Sequence, residues 1–417
     1  MSNFITGLAA RMILDSRGNP TVEVDCYVGG MLAGRAAVPS GASTGSHEAV
    51  ELRDGDMNRW MGKGVDTAVE NVLVQIQDAL VGMPVDDQKV IDEILLELDE
   101  SHNKANIGAN AMLGASLACL HAGANTHQLP LWRYVGGLQG GSLPVPLMNI
   151  LNGGVHAESN VDVQEFMVVP HGFDHFPEAL RAGVETYHSL KSLLKERGLL
   201  GGVGDEGGFT PNLPKNEEGL GLLVQAIERA GYSPGEQMSI ALDVAAAEFH
   251  EADGYHIDGQ VLDGEELGAL YSGWLDEYPI VSIEDAFGED DWESWIAFNK
   301  RDGDRVQLVG DDLFVTNVGR LADGIEMGAA NAILIKPNQI GTVTETLECI
   351  EMAKEHSYGI VISHRSGETS DDTIADLAVG TRAGQIKTGA PARSDRTSKY
   401  NQLLRIAEEC DEYTQMF

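Results

Sequence analysis

Cysteine is scarce in this chain: there are four, Cys26, Cys119, Cys349 and Cys410. They form no CxxC pair and no zinc-site spacing, which excludes a disulfide-stapled scaffold and leaves a reduced setting with the thiols as core filler. Basic residues are also few, 28 Lys and Arg against 65 Asp and Glu, for a formal charge of −37. Charged residues total 22%, slightly below the usual share, so the acidity reflects missing lysines and arginines. Such a surface makes nucleic acid and anionic membranes poor partners. No uninterrupted apolar run reaches the roughly 18 residues of a membrane span. The start of the chain carries Arg11, Asp15 and Arg17 where a signal peptide would be apolar, so a cytoplasmic protein is expected. No internal repeat or low-complexity tract is evident.

What the chain does have is length and apolar content. Its 417 residues, 43% of them hydrophobic, can bury a large core as two domains or as a barrel with an appendage. Residues 3–38 read as a small antiparallel sheet: TVEVDCYV alternates, and Gly29-Gly30 supplies a hairpin turn before a strand at residues 32–38. Residues 64–123 read as helical, with Val65, Ala68, Val69, Val72 and Ile76 on one face and Val90, Ile91, Ile94, Leu95 and Leu98 on another. The small-residue run at 109–124 predicts a closely packed internal helix. GGLQGGS, starting at Gly136, is a linker. The boundaries expected are 1–136 for an N-terminal α+β capping domain and 143–417 for a C-terminal catalytic barrel domain.

The second part has a repeating design in which short apolar runs end abruptly in charge. IALD stops at Asp243, IVSIED reaches Glu284, QLVGD reaches Asp311, AILIK reaches Lys336, IVISH reaches His364 and QIK ends at Lys387. Such runs read as buried parallel strands. The spacing between ends accommodates a strand, a crossover helix and two loops, which is the rhythm of a (β/α) barrel. In a closed barrel the carboxyl ends of the strands converge on one face, so these charges would meet there.

Three carboxylates at neighbouring ends, Asp243, Glu284 and Asp311, form an oxygen cage suited to Mg²⁺ and unsuited to zinc. Lys336 at the next end would feel that metal charge, which opposes its protonation and prepares it as a base; Lys387 adds to the effect. This combination suits removal of a proton α to a carboxylate. Glu206, on the glycine turn VGDEGGF, and Glu165, at the start of the run EFMVVP, are candidate acids for a leaving group on the opposite face. His364, Arg365 and Ser366 offer donors to a phosphate. The glycine-rich loop at residues 40–45 reads either as a connector or as a lid whose backbone approaches a ligand or metal. His156 on NGGVHAESN carries little weight by itself. Taken from the residues alone, the chemistry is metal-assisted dehydration of a phosphorylated hydroxy acid.

These segments, LDSRGNPTVEV from Leu14, AVPSGASTG from Ala37, LNGGVHA from Leu151, VGDEGGF, SIEDAF from Ser282, KPNQIGT from Lys336, SHRSGET from Ser363 and IKTGAPARSDR from Ile386, together resemble the enolases over nearly the whole chain. The resemblance implies an α/β fold, an enolase-type barrel irregular near its start behind an N-terminal α+β domain, and two Mg²⁺ per site. It implies that Asp243, Glu284 and Asp311 bind the first ion, that the Ser40 loop closes on the second, and that Lys336 takes the C2 proton of 2-phosphoglycerate. Glu206, assisted by Glu165, would protonate the departing hydroxyl. Arg365 and Ser366 would hold phosphate with His364 close by, Lys387 would hold the carboxylate, and His156 would enter with its loop. A homodimer, or a multimer of dimers, is implied, with Glu23 and Arg405 at positions that meet across the interface. The chain departs from the pattern at Pro337, Ala286 and Ser46. Two alternatives stay open: an enolase-like enzyme acting on a phosphonate or related hydroxy acid, and a non-catalytic binding protein on the same fold.

Overall fold

The computed structural model describes residues 3–41, 45–154 and 159–417. The chain opens with a three-stranded antiparallel meander, β1 (Ile5–Leu14), β2 (Pro20–Val28) and β3 (Met31–Ala37). The turn joining β2 and β3 uses Gly29 and Gly30 at φ +60° and +77°, the left-handed pair that a tight hairpin requires. One face of the sheet is covered by the helix Ala109–Thr126, almost all of whose residues are buried. Its small side chains permit close approach: a β-carbon added at Gly34 would lie 2.0 Å from the carbonyl of Ala118. The helix Gln88–Asp99 buries Ile91 and Leu95 as expected. Val90 does not join them, because it sits in the first turn, where its N–H is capped by Asp87, and its side chain is exposed.

Eight strands form a closed barrel in the order β4 (Val145–Asn152), β5 (Glu165–Val169), β6 (Ser239–Asp243), β10 (Ile280–Glu284), β11 (Gln307–Gly310), β12 (Ala332–Ile335), β13 (Gly359–Ser363) and β14 (Gly384–Lys387), which pairs back to β4. Between β6 and β10 the chain makes a short three-stranded sheet, β7 (His250–Glu251), β8 (Gly254–Ile257) and β9 (Gln260–Leu262). It then enters the helix Gly264–Glu277 through a reciprocal cap between Asp263 and Glu266. From β10 onward each strand is followed by a helix and the next strand is parallel. The regular rhythm fails at the beginning: β5 is antiparallel to both neighbours. Strand reversal exchanges the two ends, so the first residue of β5, Glu165, is brought level with the last residues of β4 and β6.

Two apolar cores result. The larger is made by the barrel strands and their surrounding helices. The smaller lies between the meander and its helices and also takes in Val343 and Leu377 from barrel helices. All four cysteines are buried and free. No helix among the described residues is long and apolar enough to cross a membrane.

Candidate active site

Strand register assembles the first part of the site. Asn152 pairs with Glu165, Glu165 with Asp243, and Asp243 with Glu284, four consecutive strands contributing one residue each at the same level. From β14, Lys387 reaches into this row. Its Nζ lies 3.1 Å from Glu165 Oε1, 2.9 Å from Asp243 Oδ2 and 2.8 Å from Glu284 Oε1. Burial alone would favour a neutral amine, but Asp243, Glu165 and Glu284 outweigh it and hold the lysine charged, well above its ordinary range. One cation does not neutralise three carboxylates. Burial, with Glu206 nearby, pushes Glu165 up, and burial with Asp243 does the same to Glu284.

A second group follows β11 and β12. Lys336 donates to Asp311, whose other oxygen accepts from Gln339 Nε2 at 2.8 Å. Burial would raise Asp311, yet Lys336 pulls it below the usual carboxylate range. Burial would likewise lower Lys336, but Asp311 keeps it raised, against the opposing charges of Arg365 and Lys387. Beneath this pair Asp285, at φ +43°, accepts the backbone N–H groups of Asp311 and Asp312 at 2.9 and 3.0 Å. Burial and the neighbouring Asp311 push Asp312 up to about 8.

A third group completes the mouth. Glu206 sits buried on its glycine turn and accepts from Asn149 Nδ2 at 3.1 Å, while His364 Nε2 is 3.3 Å from its Oε2. Burial lowers the His364 pKa to about 3 despite Glu206, so the ring is neutral. Arg365 grips Glu48 through both terminal nitrogens, at 2.9 and 3.1 Å.

Of the residues singled out by sequence, Glu165, Glu206, Asp243, Asp311, Lys336, His364, Arg365, Ser366 and Lys387 line a single cavity. Glu284 joins them through Lys387. Ser40 is buried beside Gly367, its hydroxyl shared between Glu51 at 3.1 Å and Arg53 at 3.0 Å. His156 lies outside the described residues. The three departures from the family pattern are accommodated: Pro337 heads the short helix Pro337–Ile340, with Lys336 extended before it, and Ser46 donates to Glu289. Ala286 is buried and accepts from Tyr271 at its carbonyl.

Sequence reasoning passed over Asp285, Asp312, Glu48, Gln339 and Arg396. The first two carried a signal, since each is the second acid of a doubled pair at a strand end. Gln339 and Arg396 lie within the segments KPNQIGT and IKTGAPARSDR, but nothing local marks their roles, and Glu48 carried no signal; their partners are remote in sequence.

Several carboxylates thus converge where lysines reach them, and the donors are hard oxygens. Asp243 and Glu284 already meet one cationic nitrogen, and carboxylate oxygens of Asp285, Asp311 and Asp312 lie within 4.8 Å of one another. Hard oxygen donors of this kind fit a divalent cation of the Mg²⁺ type, and this close trio shares only Asp311 with the set Asp243, Glu284 and Asp311 expected from the sequence. Residues 5–135 match the family model of the enolase N-terminal domain, and residues 141–416 match that of the enolase C-terminal TIM barrel domain. The chain belongs to the enolase superfamily. Membership implies an enzyme of the divalent-metal type acting on a small molecule, and the carboxylate-rich mouth lies at the carboxyl ends of the barrel strands, the face on which TIM barrels in general carry their active sites.

Proposed function

We propose that this protein is an enolase proper, catalysing reversible dehydration of 2-phospho-D-glycerate to phosphoenolpyruvate in glycolysis and gluconeogenesis. The observation that carries the reading is that one cavity is lined by two candidate proton-handling groups in different surroundings, Lys336 donating to Asp311 and Glu206 accepting from Asn149 with His364 Nε2 3.3 Å away. In the proposal Asp243, Glu284 and Asp311 would hold one Mg²⁺ and the Ser40 segment a second, supplying the positive charge that makes the C2 proton of the substrate removable.

Against the effect of burial, Asp311 keeps Lys336 raised in the metal-free chain; the ion's charge would oppose that protonation, and Lys336 would then take the C2 proton as the neutral amine. Glu206, with Glu165 beside it, gives a proton to the C3 hydroxyl as the C3–O bond breaks; the electron pair left at C2 becomes the C2–C3 double bond and water departs. Arg365 and Ser366 hold the phosphate with His364 near it, and Lys387 meets the substrate carboxylate. His156 is assigned to the same site on sequence alone. A cytoplasmic homodimer accompanies this reading; Arg405 is 65% exposed at its side chain with Asp372 3.6 Å away, and Glu23, which the resemblance pairs with it across the interface, is held by Arg11 within the single chain.

The test is formation of phosphoenolpyruvate from 2-phosphoglycerate with Mg²⁺, abolished by chelator. It is paired with deuterium uptake at C2 in D₂O. Lys336→Ala should lose turnover by about 10²–10⁴-fold and lose exchange with it. Glu206→Gln should lose turnover and keep exchange. Absence of activity on 2-phosphoglycerate, or C2 exchange surviving in Lys336→Ala, counts against the proposal.

A further inference from the structure

Arg396 belongs to the helix Ser394–Ile406 and is fully buried, yet it does not line the cavity. Its Nη1 donates to His364 Nδ1 at 2.5 Å and to the carbonyl of Arg365 at 2.6 Å. Its Nη2 donates to the carbonyls of Asp205 at 3.1 Å and Ser366 at 2.6 Å. Its Nε faces a carboxylate oxygen of Asp395 at 2.9 Å. A guanidinium carries five N–H groups, accepts nothing and does not deprotonate. Both hydrogens of each terminal nitrogen are therefore used, and His364 Nδ1 must be an acceptor. An imidazole whose Nδ1 accepts and which is neutral has its hydrogen on Nε2. An imidazolium would set N–H against N–H.

We propose that Arg396 is a positioning residue that fixes His364 as the neutral Nε2–H tautomer and so presents a hydrogen-bond donor to Glu206. The inference rests on the reading of Glu206 as the group that protonates the leaving hydroxyl. When Glu206 passes its proton to that oxygen, it becomes a buried carboxylate, and the Nε2–H, 3.3 Å from it and without a hydrogen-bond partner among the described residues before the transfer, is near enough to stabilise the new charge. The proton lost by Glu206 leaves in the water formed, and His364 keeps its own. The same guanidinium ties the carbonyls on both sides of this contact, so the turn bearing Glu206 and the segment bearing His364 are joined through one side chain. Gly389 closes the arrangement. Its φ is +78°, and an added β-carbon would meet Arg396 Cδ at 2.9 Å, the Glu206 carbonyl oxygen at 2.9 Å and His364 Cε1 at 3.1 Å.

Two measurements test this. In the metal-free wild-type chain labelled with ¹⁵N-histidine, and with His364 assigned through His364→Gln, Nε2 should be protonated and Nδ1 bare from about pH 5.5 to 8.5. This readout needs no substrate. In Arg396→Met, His364 should show mixed tautomers or take up a proton in that range, whereas Arg396→Lys, which retains a donor, should keep the Nε2–H form. Turnover of Arg396→Met should fall about tenfold to a hundredfold, less than complete loss of the acid, with C2 exchange nearly unchanged. A wild-type His364 that is Nδ1-protonated or titrates near neutrality overturns the proposal. So does a folded Arg396→Met in which exchange and turnover fall together. Should Arg396→Met not fold, the wild-type and Arg396→Lys spectra decide. Should wild type not act on 2-phosphoglycerate, the proposed function fails while the tautomer is still decided by the spectra.

Discussion

Ion clusters occur in two regions of this molecule, and they are built on opposite plans. In the N-terminal meander Asp25 and Glu23 of β2 face Arg11 of β1 and Arg35 of β3. Arg11 lies 2.5 Å from Glu23 and also binds Asp25, and Arg35 Nε lies 2.6 Å from Asp25. Two acids meet two bases. Burial would raise Asp25, but the bonds from Arg35 and Arg11 take it below the ordinary carboxylate value. At the barrel mouth carboxylates outnumber cations, and Glu165, Glu284 and Asp285 are all pushed upward. A balanced cluster has its charges matched within the chain and serves its stability. A surplus of buried acids is costly to the folded chain by itself, and the cost is offset only when something positive arrives.

Removing the one cation that spans three of those acids is the hardest test of the contrast. Lys387→Met should lower the stability of the metal-free protein by about 3–5 kcal/mol, the range for breaking a buried ion pair from one side. Urea unfolding followed by tryptophan fluorescence measures it, and a loss of about 2 kcal/mol or less, the range expected for the meander cluster, would remove the contrast.

Adding a cation is the converse. Mg²⁺ at a hundredfold excess over its dissociation constant should stabilise wild type by about 2.7 kcal/mol through mass action, reversed by chelator. Calorimetry of wild type and Asp243→Asn should show this gain only in the former. An equal gain in both would mean that the ion binds elsewhere.

The smallest effect belongs to the balanced cluster. Asp25→Asn should cost about 1–2 kcal/mol near neutrality, since its hydrogen bonds are charged but its arginines are partly exposed. The sign with pH follows from its depressed value. The Asp25 contribution is fully present above the unfolded carboxylate value of about 3.9 and disappears as pH falls through the lower folded value. Wild type and variant should therefore converge below about pH 4, and Mg²⁺ should not alter their difference. Divergence on acidification would reverse the assignment.

Much of this contrast was legible in the sequence. Apolar runs ending in Asp243, Glu284, Asp311, Lys336 and Lys387 announce strand ends, because an ionised side chain cannot continue a buried strand. The small residues of the helix Ala109–Thr126 announce close packing for a similar local reason. The direction of β5 was not legible: EFMVV reads as an apolar run from either end, and the strand-end rule would have put Pro170 at the mouth in place of Glu165. Only pairing with β4 and β6 decides that. Convergence of the lysines on the acids was expected, but not that Lys387 alone would span Asp243 and Glu284, which lie far away in the chain. Arg396, in SDRTSKY, has the local pattern of a solvated helix surface; its burial comes entirely from segments that pack around it.

The position of Lys387 also has a consequence in time. β14 is the last barrel strand in chain order and the one that pairs with β4 to close the ring. A chain emerging from the ribosome makes Glu165, Asp243 and Glu284 long before the lysine that spans them, and folding during synthesis proceeds from the N-terminal side. The meander can assemble its arginines and acids from neighbouring strands as soon as they appear. The mouth must wait for the end of translation, holding its acids protonated or hydrated until Lys387 is delivered.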